Sequence, residues 1–454
     1  MANMSLTKVP MPCQPPLVRN RNFDEVALGY TIEQAMEEAN RCLQCKNKPC
    51  VGGCPVAVDI PSFIKWIFDN KNLLEKNNFE IISEIKDIDT KYVYDVLDFI
   101  KHYLKVKKSF DNKMNVYNKD LRKLNNTEDL KKAISEFIRL NSGGKFLRAT
   151  LLSLGYKSMG NTDEKYIDLA LALEIFQTSI LIHDDIIDSA NVRRGKDTIP
   201  ASYNKLFKTK RKKDFIVKRN NFSNSMALCI GDLGFYLANG LIVNSYKNHP
   251  RLSDVLSYYN DMVIKTCAGE MMDIILPFKE EFYDTDKKIE EKVIEIYKLK
   301  TAWYSVIGPY CLGMILGGAS LKQIRKMEDI LLNVGIAFQI KDDLLGIYGD
   351  DKYIGKSTNS DIEEYKQTIL YAHAVKTKYK DELLKYYGEN DLSKKQINKV
   401  KDIFELSGSK KYAEDMMNKL FKDSLIKISR QKFIDRDIKK ILIGFIIYLE
   451  NRLK

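Results

Sequence analysis

Three aspartates, Asp184, Asp185 and Asp188, stand at the end of an apolar run in the stretch IHDDIIDSANVRRG, residues 182–195. On a helix the i and i+4 members, Asp184 and Asp188, share one face about one turn apart. Carboxylates this close repel each other unless a cation lies between them, and hard oxygen ligands open to solvent suit Mg²⁺ carried in with a phosphate. A solvated acidic helix end would have the same composition, so a second acidic pair matters. Asp342 and Asp343 follow another apolar helical run in FQIKDDLLGIYGDDKYIG, residues 338–355. A fold that turns the two helix ends toward each other would hold several Mg²⁺ ions between aspartates, an arrangement that only a polyanionic ligand requires. Cations recur at short motif spacings around these pairs: Lys145 and Arg148 in GGKFLR, Arg193 and Arg194, Lys300 in LKTAW, Lys356 in GK, and Lys366. Metal-bridged carboxylates ringed by Lys and Arg describe a diphosphate site.

The elements that must position these groups are helices. From about residue 95 onward, apolar residues recur at helical spacing and alternating strand patterns are scarce, so the expected class is all-α. VYDVLDFIKHYLKV and LKKAISEFIRLNS read as helices, the second broken by Asn141-Ser142-Gly143-Gly144. In GGKFLRA the glycines allow close backbone approach to a ligand, and Lys145 and Arg148 stand one helical turn apart. The C-terminal third is amphipathic helix, which core packing explains. Residues 302–319 are apolar for almost the length of a membrane span, but they include Gly308, Pro309 and a glycine pair and read as a buried helix.

A chain of 454 residues has room for one large helical domain and a smaller appendage. With 44% hydrophobic and 30% charged residues it has the balance of a soluble globular protein, and its 11 prolines argue against long disordered linkers. The net charge of +12 suits small anionic substrates, a membrane surface or nucleic acid. No zinc-finger, RRM or helix-turn-helix signature accompanies it, which argues against nucleic acid. The stretch MANMSLTKVPMPCQPP lacks the apolar core of a signal peptide, so the expected location is cytoplasmic. There the eight cysteines would be thiols or metal ligands rather than disulfides.

From roughly residue 100 onward the chain resembles the trans-isoprenyl diphosphate synthases, the family of farnesyl and geranylgeranyl diphosphate synthases. The resemblance rests on GGKxxR, DDxxD followed by RRG, GDL, Gly-Glu-x-x-Asp at 269–273, Lys300-Thr301, FQxxDD and GK, all in family order. It implies an isoprenoid synthase helical bundle, a homodimer, and a Mg²⁺-dependent prenyltransferase that joins isopentenyl diphosphate to allylic diphosphates. It implies metal ligation by Asp184, Asp185, Asp188, Asp342 and Asp343. Lys145, Arg148 and Gln177 would hold isopentenyl diphosphate, while Arg193 and Arg194 would grip the allylic and isopentenyl diphosphates respectively. Lys300 would bind the allylic diphosphate, Lys356 would absorb charge as it leaves, and Lys366 would add a further diphosphate contact. The oxygens of Thr301 and Gln339 would face the allylic cation. Product length would be read on the helix before Asp184: Ser179 and Ile180 leave room where the family's shorter-product members carry rings, and Phe176 is the first bulky ring below, which points to geranylgeranyl diphosphate. The chain departs from the family pattern in four places: Phe146 and Ala149 stand for Arg and Pro, Glu270 for Gln, and Gly346 for the third carboxylate of the second motif. A class I terpene cyclase shares the first aspartate motif and is the alternative among enzymes.

The N-terminal segment is different in kind. Cys42, Cys45, Cys50 and Cys54 form C-x₂-C-x₄-C-x₃-C-P after the helix-like TIEQAMEEANR. The spacing is too short for a two-knuckle zinc finger, and the trailing Cys-Pro suits iron–sulfur ligation. Residues 21–67 resemble the N-terminal iron–sulfur domain of the glutamate synthase small subunit and of dihydropyrimidine dehydrogenase, which implies [4Fe-4S] ligation. Those domains complete two clusters with a second cysteine segment, whereas here the next cysteines are Cys229, Cys267 and Cys311, and no GxGxxG nucleotide-binding unit is present. A fused remnant, a packing appendage and an iron–sulfur redox carrier on a synthase-like scaffold all remain open. The expected division is 1–75 for this segment and 76–454 for the synthase-like domain. A Lys/Arg-rich run at 208–220 reads as a solvated loop or as a peripheral membrane contact.

Overall fold

The computed structural model describes residues 7–10, 13, 32–42, 45, 90–123, 127–142, 144–193, 195–206, 213–278, 287–349, 360–389 and 391–452. The chain is all-α. Its helices run α1 (Ile32–Ala39), α2 (Val93–Leu121), α3 (Glu128–Asn141), α4 (Leu147–Lys157), α5 (Ile167–Ile187), α6 (Ile199–Lys205), α7 (Lys213–Tyr246), α8 (Leu252–Ile275) and α9 (Lys287–Ile296). A π-helical segment, Tyr297–Ile307, leads into α10 (Gly308–Leu316) and α11 (Leu321–Tyr348). Short helices α12 (Ser360–Glu363), α13 (Ile369–Ala374) and α14 (Lys380–Leu383) follow, and α15 (Lys394–Leu406), α16 (Ser409–Ser429) and α17 (Arg436–Asn451) end the chain. Among the described residues the one sheet is a small hairpin, β1 (Val192–Arg193) paired antiparallel with β2 (Lys196–Asp197).

Two helices form the centre because their sequences leave them no solvent face. In α5, Leu169 to Phe176 are all buried, and in α10 every residue from Gly308 to Leu316 is buried. A helix apolar on all sides must be surrounded by others. Accordingly α5 packs along α7, and α10 along α4. Residues 302–319 are thus core, as their glycines and proline suggested. The π-helical segment lies between α8 and α11, α11 also packs on α16, and α17 closes against α2. Arg219–Tyr246 of α7 is long and apolar enough to cross a membrane by length and composition, with 33% of its apolar window buried.

The π-helical segment carries Lys300 and Thr301, and two glycines hold it from opposite sides. A Cβ at Gly269 on α8 would lie 2.2 Å from the Lys300 backbone nitrogen, and one at Gly335 on α11 would lie 2.3 Å from the Ala302 Cβ. These close approaches let the wider π turn fit in a packed core. π-Helical turns are rare and concentrate at functional sites, and this segment spans 11 residues. Gly335→Ala is expected to destabilise the fold by about 1–3 kcal/mol through overpacking, read from the urea midpoint. A change smaller than about 0.5 kcal/mol, the usual range of neutral surface substitutions, would show that the segment is not clamped there.

Candidate active site

The first aspartate motif sits where α5 ends. Asp188 caps the helix, its backbone N–H bonding the Asp184 carbonyl, so the chain turns out of α5 into the β1–β2 hairpin. Gly195, at φ 70°, makes the tight turn between the strands, and Arg193, at the end of β1 just before that turn, reaches over the helix end. Arg193 donates through Nε to Asp185 Oδ1 at 2.5 Å and through an Nη to Asp184 Oδ2 at 2.7 Å. Burial works against its charge, but Asp184, Asp185 and Asp188 outweigh this and hold the guanidinium protonated. Asp185 is buried at 1% exposure, whereas Asp184 and Asp188 remain half-buried at the helix end.

Lys300 binds the same cluster from the other side. Its ammonium lies 2.6 Å from Asp273 Oδ2, 3.0 Å from Glu270 Oε1 and 4.0 Å from Asp184 Oδ1. Burial lowers its proton affinity, but Asp273, Glu270 and Asp184 raise it further, so it stays charged above the ordinary lysine range. Burial pushes the Glu270 carboxyl up while Lys300 pulls it down. The glutamate that replaces the family's Gln is therefore a direct partner of the key lysine. Lys366 makes the second bridge: its Nζ is 2.9 Å from Glu364 Oε2, 3.6 Å from Asp361 Oδ1 and 3.7 Å from Asp188 Oδ2.

The second aspartate pair divides by direction. Asp342 remains partly open and pairs with Arg452 just beyond α17, whose guanidinium also lies 4.4 Å over the Phe338 ring. Asp343 points inward. It accepts from the Tyr297 hydroxyl and, at 2.9 Å, from Gln339 Nε2. Burial raises its carboxyl to about 8 despite those two donors. Gln339 in turn accepts from Thr301 Oγ1 at 2.6 Å, and Tyr297 accepts from the Ile369 N–H at 2.8 Å. One hydrogen-bonded chain thus fixes Thr301, Gln339 and Asp343 relative to one another. Alike metal-facing roles for all five aspartates do not match this geometry: Asp185 and Asp343 are turned inward and committed to Arg193, Tyr297 and Gln339.

On the remaining side, Lys145 is half-buried just before α4, and Arg148 on α4 donates to Ser305 Oγ at 2.7 Å with its guanidinium 4.5 Å over the Tyr304 ring. Ser305 belongs to the segment that carries Lys300, so the two cation groups share one support. Both departures from the family's GGK motif have local causes. Phe146 adopts a left-handed backbone at φ 50° and turns its ring into the core, 4.5 Å from Phe110. The Ala149 N–H, absent in a proline, donates to Glu174 Oε1 at 3.3 Å. Gln177 is half-buried on α5.

Toward the start of α5, Phe176 is 1% exposed and meets the rings of Phe235 at 5.7 Å, Tyr259 at 5.7 Å and Tyr304 at 6.4 Å. Ile180 lies half-buried against the core. Ser179 is fully buried, and a Cβ on Gly234 of α7 would come within 2.0 Å of its Oγ. This is the seam between α5 and α7, not open space, so the expectation that position 179 leaves room for a product tail is replaced by a packing role.

Lys356, Arg194, Cys50 and Cys54 lie outside the described residues, as do 208–212 of the basic run. Cys42 is half-buried and Cys45 exposed beyond α1. The sequence reading did not single out Tyr297, Asp361, Glu364 or Arg452. Tyr297 stands one helical turn before Lys300, and Asp361 and Glu364 precede Lys366 by five and two residues, so local spacing held a signal for these three. Arg452 is 110 residues from its partner and had none.

The donor set fits Mg²⁺. Among the described residues no three or more His, Cys, Asp and Glu already form a metal cage. Carboxylate oxygens nevertheless surround the Lys300 and Lys366 ammonium groups at cation-binding distances, so the cluster already accommodates positive charge. Its ligands are all oxygen and half open to water, which suits an ion that keeps several waters and arrives with a phosphate.

Residues 128–406 match the polyprenyl synthetase family model, and residues 19–87 match that of dihydropyrimidine dehydrogenase domain II, 4Fe-4S cluster. The chain is 30% identical over 315 residues to a geranylgeranyl diphosphate synthase of Sulfolobus acidocaldarius, covering 67% of this chain and 87% of that protein. It is 27% identical over 320 residues to a geranylfarnesyl diphosphate synthase of Aeropyrum pernix, with 69% and 92% covered. A geranylgeranyl pyrophosphate synthase from Corynebacterium glutamicum, solved with isoprenyl diphosphate and magnesium, shares the fold with a TM-score of 0.68 at 23% identity, over 78% of this chain and 99% of that one. With its aspartates at two helix ends and its lysines between them, the chain belongs to the polyprenyl synthetase family and is a trans-prenyltransferase.

Proposed function

We propose that the enzyme uses Mg²⁺ to condense isopentenyl diphosphate with an allylic diphosphate and makes mainly geranylgeranyl diphosphate. The observation that carries this reading is the joint cluster in which Asp184 and Asp188 share ammonium groups with residues of α8 and with the segment after α11. Mg²⁺ held by Asp184, Asp188 and Asp342 would neutralise the allylic diphosphate as it departs. Arg193 and Lys300, fixed in charge by the surrounding carboxylates, would bind and orient that diphosphate, joined by Lys356 on the strength of resemblance. Lys145, Arg148 and Gln177 would hold isopentenyl diphosphate. The Thr301 and Gln339 oxygens, held by the chain through Asp343 and Tyr297, would face the allylic cation. The double bond of isopentenyl diphosphate attacks that cation, and loss of a proton to the released diphosphate completes a five-carbon extension. The buried apolar residues of α5 and α10 keep water from the cation. A second diphosphate-binding group at Lys145 and Arg148 favours condensation over cyclisation.

Asp184→Ala is expected to lower turnover by at least roughly a hundredfold, as loss of a charge-stabilising group does, with the far-ultraviolet helix signal unchanged. Chelation should silence the wild-type enzyme and Mg²⁺ restore it. Prenyl transfer within about tenfold of wild type in the substituted enzyme would sink the metal assignment.

Product length follows from the same helix. Phe176 lies eight residues before Asp184, about 12 Å along the axis, and its three aromatic neighbours make that level the floor. Phe176→Ala is expected to lengthen the main product, and Ile180→Phe to shorten it toward farnesyl diphosphate, by chromatography of dephosphorylated products. An unchanged distribution in Phe176→Ala would move the floor to another helix. Ser179→Phe is expected to disrupt packing against Gly234, not to act as a ruler.

The exposed apolar side chains Leu228, Tyr236 and Val243 of α7 and Ile264, Met271 and Ile274 of α8 line those helices at one- and two-turn spacings, which supports a homodimer, to be measured by sedimentation. Their polar neighbours Asp232 and Asp261 suit a protein partner better than lipid. The cysteine segment is proposed as a separate [4Fe-4S]-binding unit, since every diphosphate-site motif lies beyond residue 140. Replacing Cys42, Cys45, Cys50 and Cys54 by Ser should abolish iron–sulfur absorbance of anaerobically purified protein while prenyl transfer stays within about twofold, as for substitutions remote from a site. Loss of transfer with the fold retained would instead tie the segment to catalysis.

A further inference from the structure

The second aspartate motif reads DDLLG, so a glycine occupies the place, four residues after Asp342, where a third carboxylate would share its face of α11. That place is not empty. A Cβ at Gly346 would lie 2.5 Å from Asp361 Oδ2 and 3.4 Å from its Cγ. The carboxylate of Asp361 therefore occupies the space that a side chain at 346 would enter, and the two positions cannot both carry aspartate without a shift. Asp361 is also the residue through which the two halves of the site meet. Its Oδ1 is 3.6 Å from the Lys366 ammonium, which is 3.7 Å from Asp188 Oδ2. Asp342, by contrast, is held by Arg452 at the end of the chain.

We propose that Asp361 supplies, from the segment after α11, the third carboxylate that the second motif lacks, and that it holds Mg²⁺–diphosphate opposite Asp188. The inference rests on the reading of this cluster as the Mg²⁺–diphosphate site and deepens it. Lys366, which bridges Asp361 to Asp188, then keeps the two carboxylates from repelling each other until the divalent ion and its diphosphate arrive. The missing side chain at Gly346 leaves the Asp361 carboxylate room to lie against α11, a place from which a side chain there would have to push it.

The test is binding of inorganic diphosphate to the full chain in the presence and absence of Mg²⁺, by titration calorimetry, without any turnover. Asp361→Asn keeps the shape and removes the charge. It is expected to weaken Mg²⁺-dependent binding roughly tenfold to a hundredfold, as loss of a ligand or its support does, with the far-ultraviolet helix signal of the metal-free protein unchanged. The exchange variant Gly346→Asp with Asp361→Ala returns a carboxylate from the helix itself, and should bind at least about fivefold more tightly than Asp361→Ala alone. Binding by Asp361→Asn within about twofold of wild type, or an exchange variant that binds no better than Asp361→Ala, would overturn the assignment. Wild-type protein that binds diphosphate equally with and without Mg²⁺ would overturn the reading of the cluster as well.

Discussion

Charge compensation governs this structure. Carboxylates gathered at the ends of buried helices cannot stay ionised without cations or donors close by. Four aspartates of the two motifs have found a cation, Asp184 and Asp185 on Arg193, Asp184 also near Lys300, Asp188 near Lys366 and Asp342 on Arg452, whereas burial pushes Asp343 up to about 8 although Tyr297 and Gln339 hydrogen-bond it. These partners come from the hairpin, the π-helical segment, the segment after α11 and the chain end. The pairing therefore ties together regions far apart in sequence at the place where a polyanion is to bind. In the function proposed above, an arriving Mg²⁺–diphosphate would exchange with contacts already made, so the cost of assembling like charges is met in the fold beforehand.

The helix packing serves that cluster. Lys300 and Thr301 sit on a stretch wound wider than an α-helix, and the glycines at 269 and 335 let α8 and α11 close on it without a side chain between. Arg148 reaches the same stretch at Ser305 and Tyr304. The groups read as allylic and isopentenyl contacts are thereby referenced to one rigid element, which is the geometric condition for orienting two reactants. The N-terminal cysteine segment stands apart from this arrangement in motif and in family, and none of the described contacts of the diphosphate cluster involves it.

Much of this was legible in the sequence because it is local. The i, i+4 spacing of Asp184 and Asp188 and the mostly apolar runs of α5 and α10 are properties of single helices, and they appear as read, whereas Lys145 lies before α4, separated from Arg148 by the left-handed turn at Phe146, and not one helical turn from it. Orientation was less legible. DDxxD and FQxxDD do not say that Asp185 and Asp343 turn inward, because that depends on Arg193 reaching over from a hairpin and on Tyr297 reaching across from another element. Ser179 looked like an opening because serine is small, but smallness there serves the approach of Gly234 on α7. Arg452 could not be found by any local rule, since its partner lies 110 residues away.

The length of α5 connects these observations to selectivity. At its C-terminal end the helix presents carboxylates and draws in cations; two turns earlier Phe176 closes against Phe235, Tyr259 and Tyr304. Tyr304 belongs to that ring cluster and also lies under the Arg148 guanidinium, while its neighbour Ser305 accepts from the same arginine. The ring cluster and Arg148 thus share an element with Lys300. A change in ring size at position 176 has to be absorbed by the segment that carries Lys300, because packed interiors transmit displacement instead of yielding locally. The rings around Phe176 and the contacts of Arg148 are for that reason mechanically coupled through Tyr304, and removal of the ring at 176 is expected to shift the support of Arg148 and Lys300.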